Sequence, residues 1–382
     1  MKRCAREETD KMVDTELLCT MWLTSVFGYG SKKPAQLIEE FGSAYNVFEN
    51  GRDSLYFGCM SENILSAFEN KNLSYAEFIL ERCRKEGIKT VCIQEESYPE
   101  LLREIPNPPA VLYYKGNLDM LHKMPFAVIG TRKADDEGRK LVKDFVPQLQ
   151  NAGFSIVSGF AEGIESYIHK NFNPTVTVLP HGMNICYPSC NAGLKEKIVE
   201  NGGLVITEFM HDVRAFKGNY HLRNRLLAGM TKGVLIIEAS HKSGTSITAS
   251  AAGDYGRDVY IVPGSVYNPR FAGSHEMLRQ NMILVTEPNH IITDFDNCPE
   301  IKQPLINDNS QISGVVNLND SKYDGLSEDE KAVLKCINGN RVHADEITVR
   351  TGIDIASVNA ILISLTLEGF IEKLDGNQYI IQ

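Results

Sequence analysis

From Phe126 to about Phe295 the chain alternates short apolar runs with longer stretches of helical spacing, and this rhythm limits what it can fold into more than any other feature. The runs are Phe126 to Ile129, Ser155 to Val157, Val176 to Leu179, Leu204 to Thr207, Gly233 to Ile237, Val259 to Val262 and Ile283 to Val285. They are continuous rather than alternating, and several end directly in Gly, Pro or Ser. Buried parallel strands read this way because helices cover both of their faces and loops leave from their carboxyl ends. The pattern predicts an α/β fold built on a Rossmann-like, doubly wound sheet. Its ligand is expected at the carboxyl ends of the strands, where the strand order reverses.

Other segments flank this domain. Up to about residue 90 apolar residues recur at helical spacing, in Leu17, Leu18, Met21 and Trp22 and again in Leu37, Ile38 and Phe41, with glycines as punctuation. This predicts a small helical domain. Its Gly28-Tyr29-Gly30-Ser31 turn resembles a helix-hairpin-helix whose amides hold a phosphate, and equally a plain tight helix connection. The α/β domain is placed at 91–296, its first part carrying strands at Val91 to Ile93 and Val111 to Tyr114 separated by Pro106, Pro108 and Pro109. An aperiodic polar stretch at 297–322 reads as a linker. Residues 323–382 give helices at the Ser327 cap, His343 to Thr351 and Asp354 to Leu367, then a hairpin turning at Asp375-Gly376-Asn377, the order of a winged helix.

Composition narrows the functional classes. The formal net charge of -10 argues against a surface coated in positive potential, but screening leaves room for a local basic groove. No apolar run is long enough to span a bilayer, and Met1 to Asp14 is charged, so the expectation is a cytoplasmic protein with no membrane contact. The nine cysteines form no C-x-x-C pair and fit a reducing compartment. His181, Cys186 and Cys190 lie close in sequence, but at a spacing that matches no common zinc pattern, and no metal or cofactor is expected.

The chemistry is concentrated in loops that follow strands. Gly130-Thr131-Arg132-Lys133 offers close backbone approach, a hydroxyl and a guanidinium fork suited to phosphate oxygens, without the G-x-G-x-x-G of a dinucleotide site. Ser158-Gly159-Phe160-Ala161-Glu162-Gly163 opens the next helix and reads either as a set of free amides or as glycines demanded by packing. Lys242-Ser243-Gly244-Thr245 precedes a helix with the make-up of an anion nest. Between them, Lys217-Gly218-Asn219-Tyr220-His221-Leu222-Arg223-Asn224-Arg225 combines cations, an amide and an aromatic. Phosphates need the cations, while a base can stack on Tyr220. The bland alternative is a basic helix start whose Asn224 and Arg225 pair with nearby carboxylates. No catalytic set emerges: no histidine stands beside a nucleophile in a recognised motif, and no acidic cluster suggests a two-metal site. Glu208 and Glu238 end strands and remain conceivable bases.

Taken in order, Gly130-Thr131-Arg132, Val157-Ser158-Gly159, Gly163-Ile164, Arg223-Asn224-Arg225, Ser243-Gly244-Thr245 with Ile247-Thr248-Ala249, and Val262-Pro263-Gly264-Ser265 resemble the DNA-processing protein A family of bacterial natural transformation. The resemblance extends over nearly the whole chain. It implies a non-catalytic protein that binds single-stranded DNA, shields it and helps load a RecA-type recombinase, acting as a homodimer joined through its Rossmann-like domain. By position it assigns phosphate contacts to Gly130, Thr131, Arg132, Ser158, Gly159, Lys217, Arg223, Arg225, Ser243, Gly244 and Thr245, with Asn224 and Lys242 inside the same motifs and Tyr220 in the place of a family aromatic. The chain departs from the family pattern at Glu162, where an acid stands near the expected phosphate, at 169–175, which is shorter, at Pro180, and at 219–222.

Two further expectations follow from charge and loop chemistry. Leu326 to Gln382 carries five Lys plus Arg against nine Asp plus Glu, and Asp354 to Leu367 has no cation, so a protein contact is expected of the winged helix rather than a groove of DNA. The alternative function is an enzyme acting on a nucleotide phosphate, of the lysine-decarboxylase-like phosphoribohydrolase group. Ser243-Gly244-Thr245 lacks that group's glycine pair and following glutamate.

Overall fold

The computed structural model describes residues 2–51, 60–241, 243–295, 297–298, 326–337, 342–374 and 378–381. Most of the segment read as a linker, the turn Asp375-Gly376-Asn377 and Lys242 lie outside the described residues. The chain divides into two compact units, Met1–Lys302 and Gln303–Gln382.

The first unit begins with helices α1 (Lys2–Phe27), α2 (Lys33–Phe41), α3 (Ala44–Asn50), α4 (Glu62–Asn70) and α5 (Ser74–Lys85). There follow β1 (Lys89–Cys92), α6 (Glu100–Arg103), β2 (Val111–Gly116), β3 (Met124–Ile129), α7 (Asp136–Asn151), β4 (Phe154–Ser158), α8 (Ile164–Asn171), β5 (Val176–Val178), α9 (Leu194–Glu200) and β6 (Leu204–Thr207). The unit continues through α10 (Lys217–Gly229), β7 (Gly233–Ile236), α11 (Thr245–Asp254), β8 (Asp258–Ile261), α12 (Ala272–Leu278), β9 (Ile283–Leu284) and α13 (Pro288–Asp294). One sheet holds all of these strands, in the order β1-β2-β6-β5-β4-β3-β7-β8-β9.

Strands β3 to β9 run parallel, as the continuous apolar runs require. Phe126, Val128 and Ile156 face α7 through Val142, Phe145 and Val146. Their neighbours Ala127, Ile129 and Val157 face the opposite side, with Leu226, Leu227 and Ala249 of α10 and α11. Successive side chains enter different cores, so both faces are largely apolar, and buried polar side chains such as Ser158 and Thr177 donate to backbone carbonyls. β1 and β2 extend the sheet antiparallel, with β2 against β6. The α1 and α5 side chains Met21, Ile79, Leu80 and Cys83 share a core with Val111 and Tyr113 of that extension and with Val205 of β6. The expected boundary near residue 90 is therefore not a break in the packing.

The strand order reverses at β3. After β3 the chain moves outward through β4, β5 and β6, and α10 then carries it back to lay β7 on the other side of β3. A crevice opens above the β3 and β7 ends because their following loops diverge to opposite faces of the sheet.

The turn Gly28-Tyr29-Gly30-Ser31 is used for packing. Gly30 has φ +74°, and a Cβ there would meet Leu222 of α10 at 2.5 Å. Its carbonyl accepts from Asn107 Nδ2 at 3.1 Å, and the Tyr29 hydroxyl accepts from the Met210 N–H at 3.2 Å. Of the readings left open for this turn, the tight helix connection accounts for these contacts.

The second unit contains α14 (Glu328–Ile337), β10 (Val342–His343), α15 (Ala344–Thr351), α16 (Ile355–Leu367), β11 (Ile371–Leu374) and β12 (Gln378–Ile381). This is the winged-helix order, with His343 in a strand that pairs with β12 rather than starting a helix. Its core is its own: Val333, Leu334, Ile337, Ile347, Val358, Leu362, Leu365 and Tyr379. The Ser327 hydroxyl accepts from the Glu330 N–H at 3.3 Å while Glu330 accepts from the Ser327 N–H at 2.8 Å, a reciprocal cap. Asp354 caps α16 by accepting from the Ala356 and Ser357 amides.

A candidate nucleic-acid interface at the β3–β7 crevice

A cleft of about 820 Å³ lies over the crevice, lined by Gly130 to Lys133 after β3, Phe216, Lys217, Tyr220, Arg223 and Asn224 around α10, and Ser243 to Thr245 before α11. Arg132, Arg223 and Ser243, separated by up to 111 positions of sequence, thus meet in one hollow because β3 and β7 are neighbours.

Each loop is shaped by a local constraint. Gly163 has φ +83°, and a Cβ there would fall 2.2 Å from the Thr131 carbonyl, so glycine lets the start of α8 pass beneath the first loop. The Ile164 N–H then donates to that carbonyl at 3.1 Å. On the far side Ser243, Gly244 and Thr245 bring the N-terminus of α11 to the cleft, where first-turn amides and the helix dipole favour an anion. Asn224 holds this loop by donating from Nδ2 to the Gly244 carbonyl at 3.2 Å.

The arginines divide into two kinds. Arg132 is exposed, as are Lys133 and Lys217, and none of these makes an ion pair with a described residue. Arg223 is 2% exposed at the floor of the cleft, with Nη2 3.4 Å from Glu165 Oε2. Glu165 is itself buried, and the same oxygen accepts from the Ala161 N–H at 2.7 Å. Arg225 is buried away from the cleft and paired with Glu208. The consecutive residues Arg223, Asn224 and Arg225 thus tie α10 to α8, to the loop before α11 and to the end of β6. For Asn224 and Arg225 the reading as partners of neighbouring groups describes the contacts, although Arg225's partner is buried rather than at a solvated helix start.

The second glycine loop also serves packing. The Ser158 hydroxyl is buried and donates to the Val128 carbonyl at 2.6 Å, so it does not reach the cleft. A Cβ on Gly159 would sit 1.5 Å from Arg223 Nη1. The Gly159 carbonyl accepts from the Thr177 hydroxyl at 3.1 Å and lies 2.8 Å from His169 Nε2. Burial holds His169 down at about 4, so the ring is neutral, and Nε2 donates to Gly159 while Nδ1 takes the Thr175 hydroxyl. Glu162 does not line the cleft: it is exposed, with the Cys190 thiol 3.3 Å from Oε1.

Tyr220 is half-buried, with the Arg132 guanidinium over its ring at 4.7 Å from the centroid and that of Arg223 at 5.9 Å. Its π-surface already carries cations. Lys133, Tyr187 and Phe216 also border the cleft and were not singled out as contacts from sequence; Tyr187 belongs to none of the glycine or cation motifs that mark the other loops.

The strand-end carboxylates are not placed as bases. Glu208 is paired with Arg225, and Glu238 lies outside the cleft lining, where burial and the neighbouring Asp135 push it up to about 7 against the opposing pull of Arg270. His181 Nδ1 and Nε2 lie 2.9 and 3.0 Å from the Gly182 and Tyr187 carbonyls. Among the described residues no group of three or more His, Cys, Asp or Glu side chains is arranged to hold a metal ion. Among them, too, no helix is long and apolar enough to cross a membrane.

A doubly wound sheet with glycine-bearing loops and exposed cations at its switch point defines a Rossmann-like protein with a cleft where such folds take their ligands. The model of the family described as DNA recombination-mediator protein A matches residues 89–296, and that of the DprA winged helix domain matches 320–377. The chain belongs to this family.

Among its relatives, the DNA processing protein DprA of Streptococcus pneumoniae is 35% identical over 208 residues, covering 53% of this chain and 73% of that one. Protein Smf of Escherichia coli is 36% identical over 204 residues, a stretch spanning 52% of this chain and 54% of the relative, about half its length. The X-ray structure of the S. pneumoniae protein aligns with a TM-score of 0.62 at 28% identity, over 72% of this chain and 97% of that one. A structure of DNA processing protein A from Helicobacter pylori, whose subject is its single-stranded DNA binding mode, aligns with a TM-score of 0.50 at 25% identity, over 55% of this chain and 96% of that one.

Proposed function

We propose that the chain is a single-stranded DNA-binding protein that holds the strand along the β3–β7 cleft and turns over no substrate. The observation that carries this reading is the convergence on one cleft of three exposed cations, Arg132, Lys133 and Lys217, with the N-terminus of α11. Phosphates meet Arg132, Lys217, the Gly130 and Thr131 backbone and the Ser243-Gly244-Thr245 turn, while Arg223, Asn224 and Arg225 hold these groups in place. Glu165, the one carboxylate among the described residues lining the cleft, is engaged by Arg223 and the Ala161 amide, which argues against a general base there. The binding mode named for the H. pylori relative supports the same reading.

By the same reading the protein works in the cytoplasm, where its thiols remain reduced, and helps load a RecA-type recombinase in natural transformation. A homodimer is supported by the edge strand β9, whose Ile283 and Leu284 are exposed at the end of the sheet. The winged helix contacts protein rather than DNA: Ile363 and Leu367 are exposed on α16, which carries no cation.

The test is anisotropy of a labelled oligothymidylate against the full chain at several salt concentrations. Arg132→Ala and Lys217→Ala are each expected to weaken binding by about 12- to 150-fold, the worth of a charged hydrogen bond. Each is also expected to reduce the salt slope by about 0.7. Unchanged binding in both variants would refute the cleft as the strand's site.

A further inference from the structure

We infer that Tyr187 and Phe216 are the surfaces on which bases of the bound strand stack, and that Tyr220 orients Arg132 instead. This rests on the cleft being the single-strand site and adds which groups read the bases. Both rings border the cleft and both are exposed, Tyr187 by 53% and Phe216 by 62%. Tyr45, Tyr75, Phe78 and Tyr267 are exposed as well, but among the described residues only Tyr187 and Phe216 are exposed rings that line the cleft, and rings left in water at the mouth of a cationic cleft are placed for a planar, apolar partner.

Both rings are supported by the fold. Phe216 precedes α10 in extended conformation, its carbonyl accepting from the Asn219 N–H at 3.0 Å. A Cβ on Gly218 would lie 2.6 Å from its Cε2, so glycine allows the ring to rest against the first turn of the helix. The Tyr187 carbonyl lies 3.0 Å from Nε2 of the buried His181, and Pro188 after it is buried. Such anchoring lowers the ordering cost of a contact. Tyr220, by contrast, already lies under the Arg132 guanidinium at 4.7 Å.

Phe216 stands next to Lys217 in sequence, and Tyr187 shares the cleft with Arg132. Rings and cations thus line one cleft, the combination that suits a strand of alternating phosphates and bases. A phosphate-only ligand would leave both rings in water.

The experiment compares a labelled oligothymidylate with an abasic deoxyribose-phosphate strand of equal length, using the full chain and its Tyr187→Ala and Phe216→Ala variants. The parent is expected to prefer the strand that carries bases. Each variant should lose about 5- to 150-fold on that strand and nothing on the abasic one, and Tyr187→Phe should bind like the parent. Fluorescence of Trp22, buried in the helical part, checks that the variants are folded. If the parent binds neither strand, the single-strand reading itself falls. If the parent binds thymidylate but the alanine variants match it, or lose equally on both strands, only the stacking assignment is overturned.

Discussion

Glu165→Gln separates framework from ligand among the cleft's charged groups. Gln keeps an oxygen where Glu165 accepts from the Ala161 N–H, so the substitution removes charge while sparing that hydrogen bond. Arg223, 2% exposed, then sits without its counter-ion at the base of the cleft, and its Nε has no partner among the described residues to compensate. Breaking a buried pair from one side costs about 3–5 kcal/mol, and the retained hydrogen bond points to the lower end, about 3 kcal/mol. The single tryptophan, Trp22, is buried against Phe48 and Phe68, so its fluorescence reports unfolding of Met1–Lys302 and not of the winged helix. With a urea slope of about 3 kcal/mol per molar, the midpoint should fall by about 1 M. Arg132→Ala, which removes an exposed side chain without an ion pair to a described residue, should stay within about 0.5 kcal/mol of the parent. A Glu165→Gln midpoint indistinguishable from the parent, or an Arg132→Ala midpoint that falls as far, would refute the division into buried brace and exposed phosphate ligand.

Other outcomes follow from the same contacts. Glu238, raised to about 7 chiefly by burial and then by Asp135, has a folded pKa above its unfolded one. Its contribution is therefore full below the usual carboxyl range and is lost as pH rises through about 7. Glu238→Gln should flatten the dependence of the urea midpoint between about pH 5 and 8, and an unaltered profile would contradict it. His169 titrates the other way: with its folded pKa at about 4, below the ordinary 6.5, stability is complete above the ordinary value and declines as pH falls toward 4. His169→Gln should remove that acid-side decline in the Trp22 signal, and a decline of unchanged steepness would count against it. Removing the winged-helix unit should leave affinity for oligothymidylate within about threefold, since α16 carries no cation to meet phosphate. A larger loss, measured by anisotropy, would show that the unit touches the strand.

The alternation of apolar runs with helical stretches was enough to place the strands from Phe126 to Val285, because burial between two helical layers makes nearly every residue of the central strands apolar, although the edge strand β9 is exposed. The loops at their ends, and Arg132 and Ser243 within them, were legible for the same reason: glycine and a short polar residue after a buried strand mark where backbone must approach something. Sequence also carried Arg223, Asn224 and Arg225 as a motif, yet a run of cations reads alike whether its charges face phosphate or carboxylate. What decided that Arg223 meets Glu165 and Arg225 meets Glu208 was the return of α10 across the sheet, which brings residues 58 and 17 positions apart into contact. Phe216, just ahead of α10, reached the cleft with that helix, and Tyr187 reached it from the loop between β5 and α9. An aromatic residue in a loop has no spacing to betray it, since only long-range packing fixes whether its ring is buried or stands at the mouth of a site.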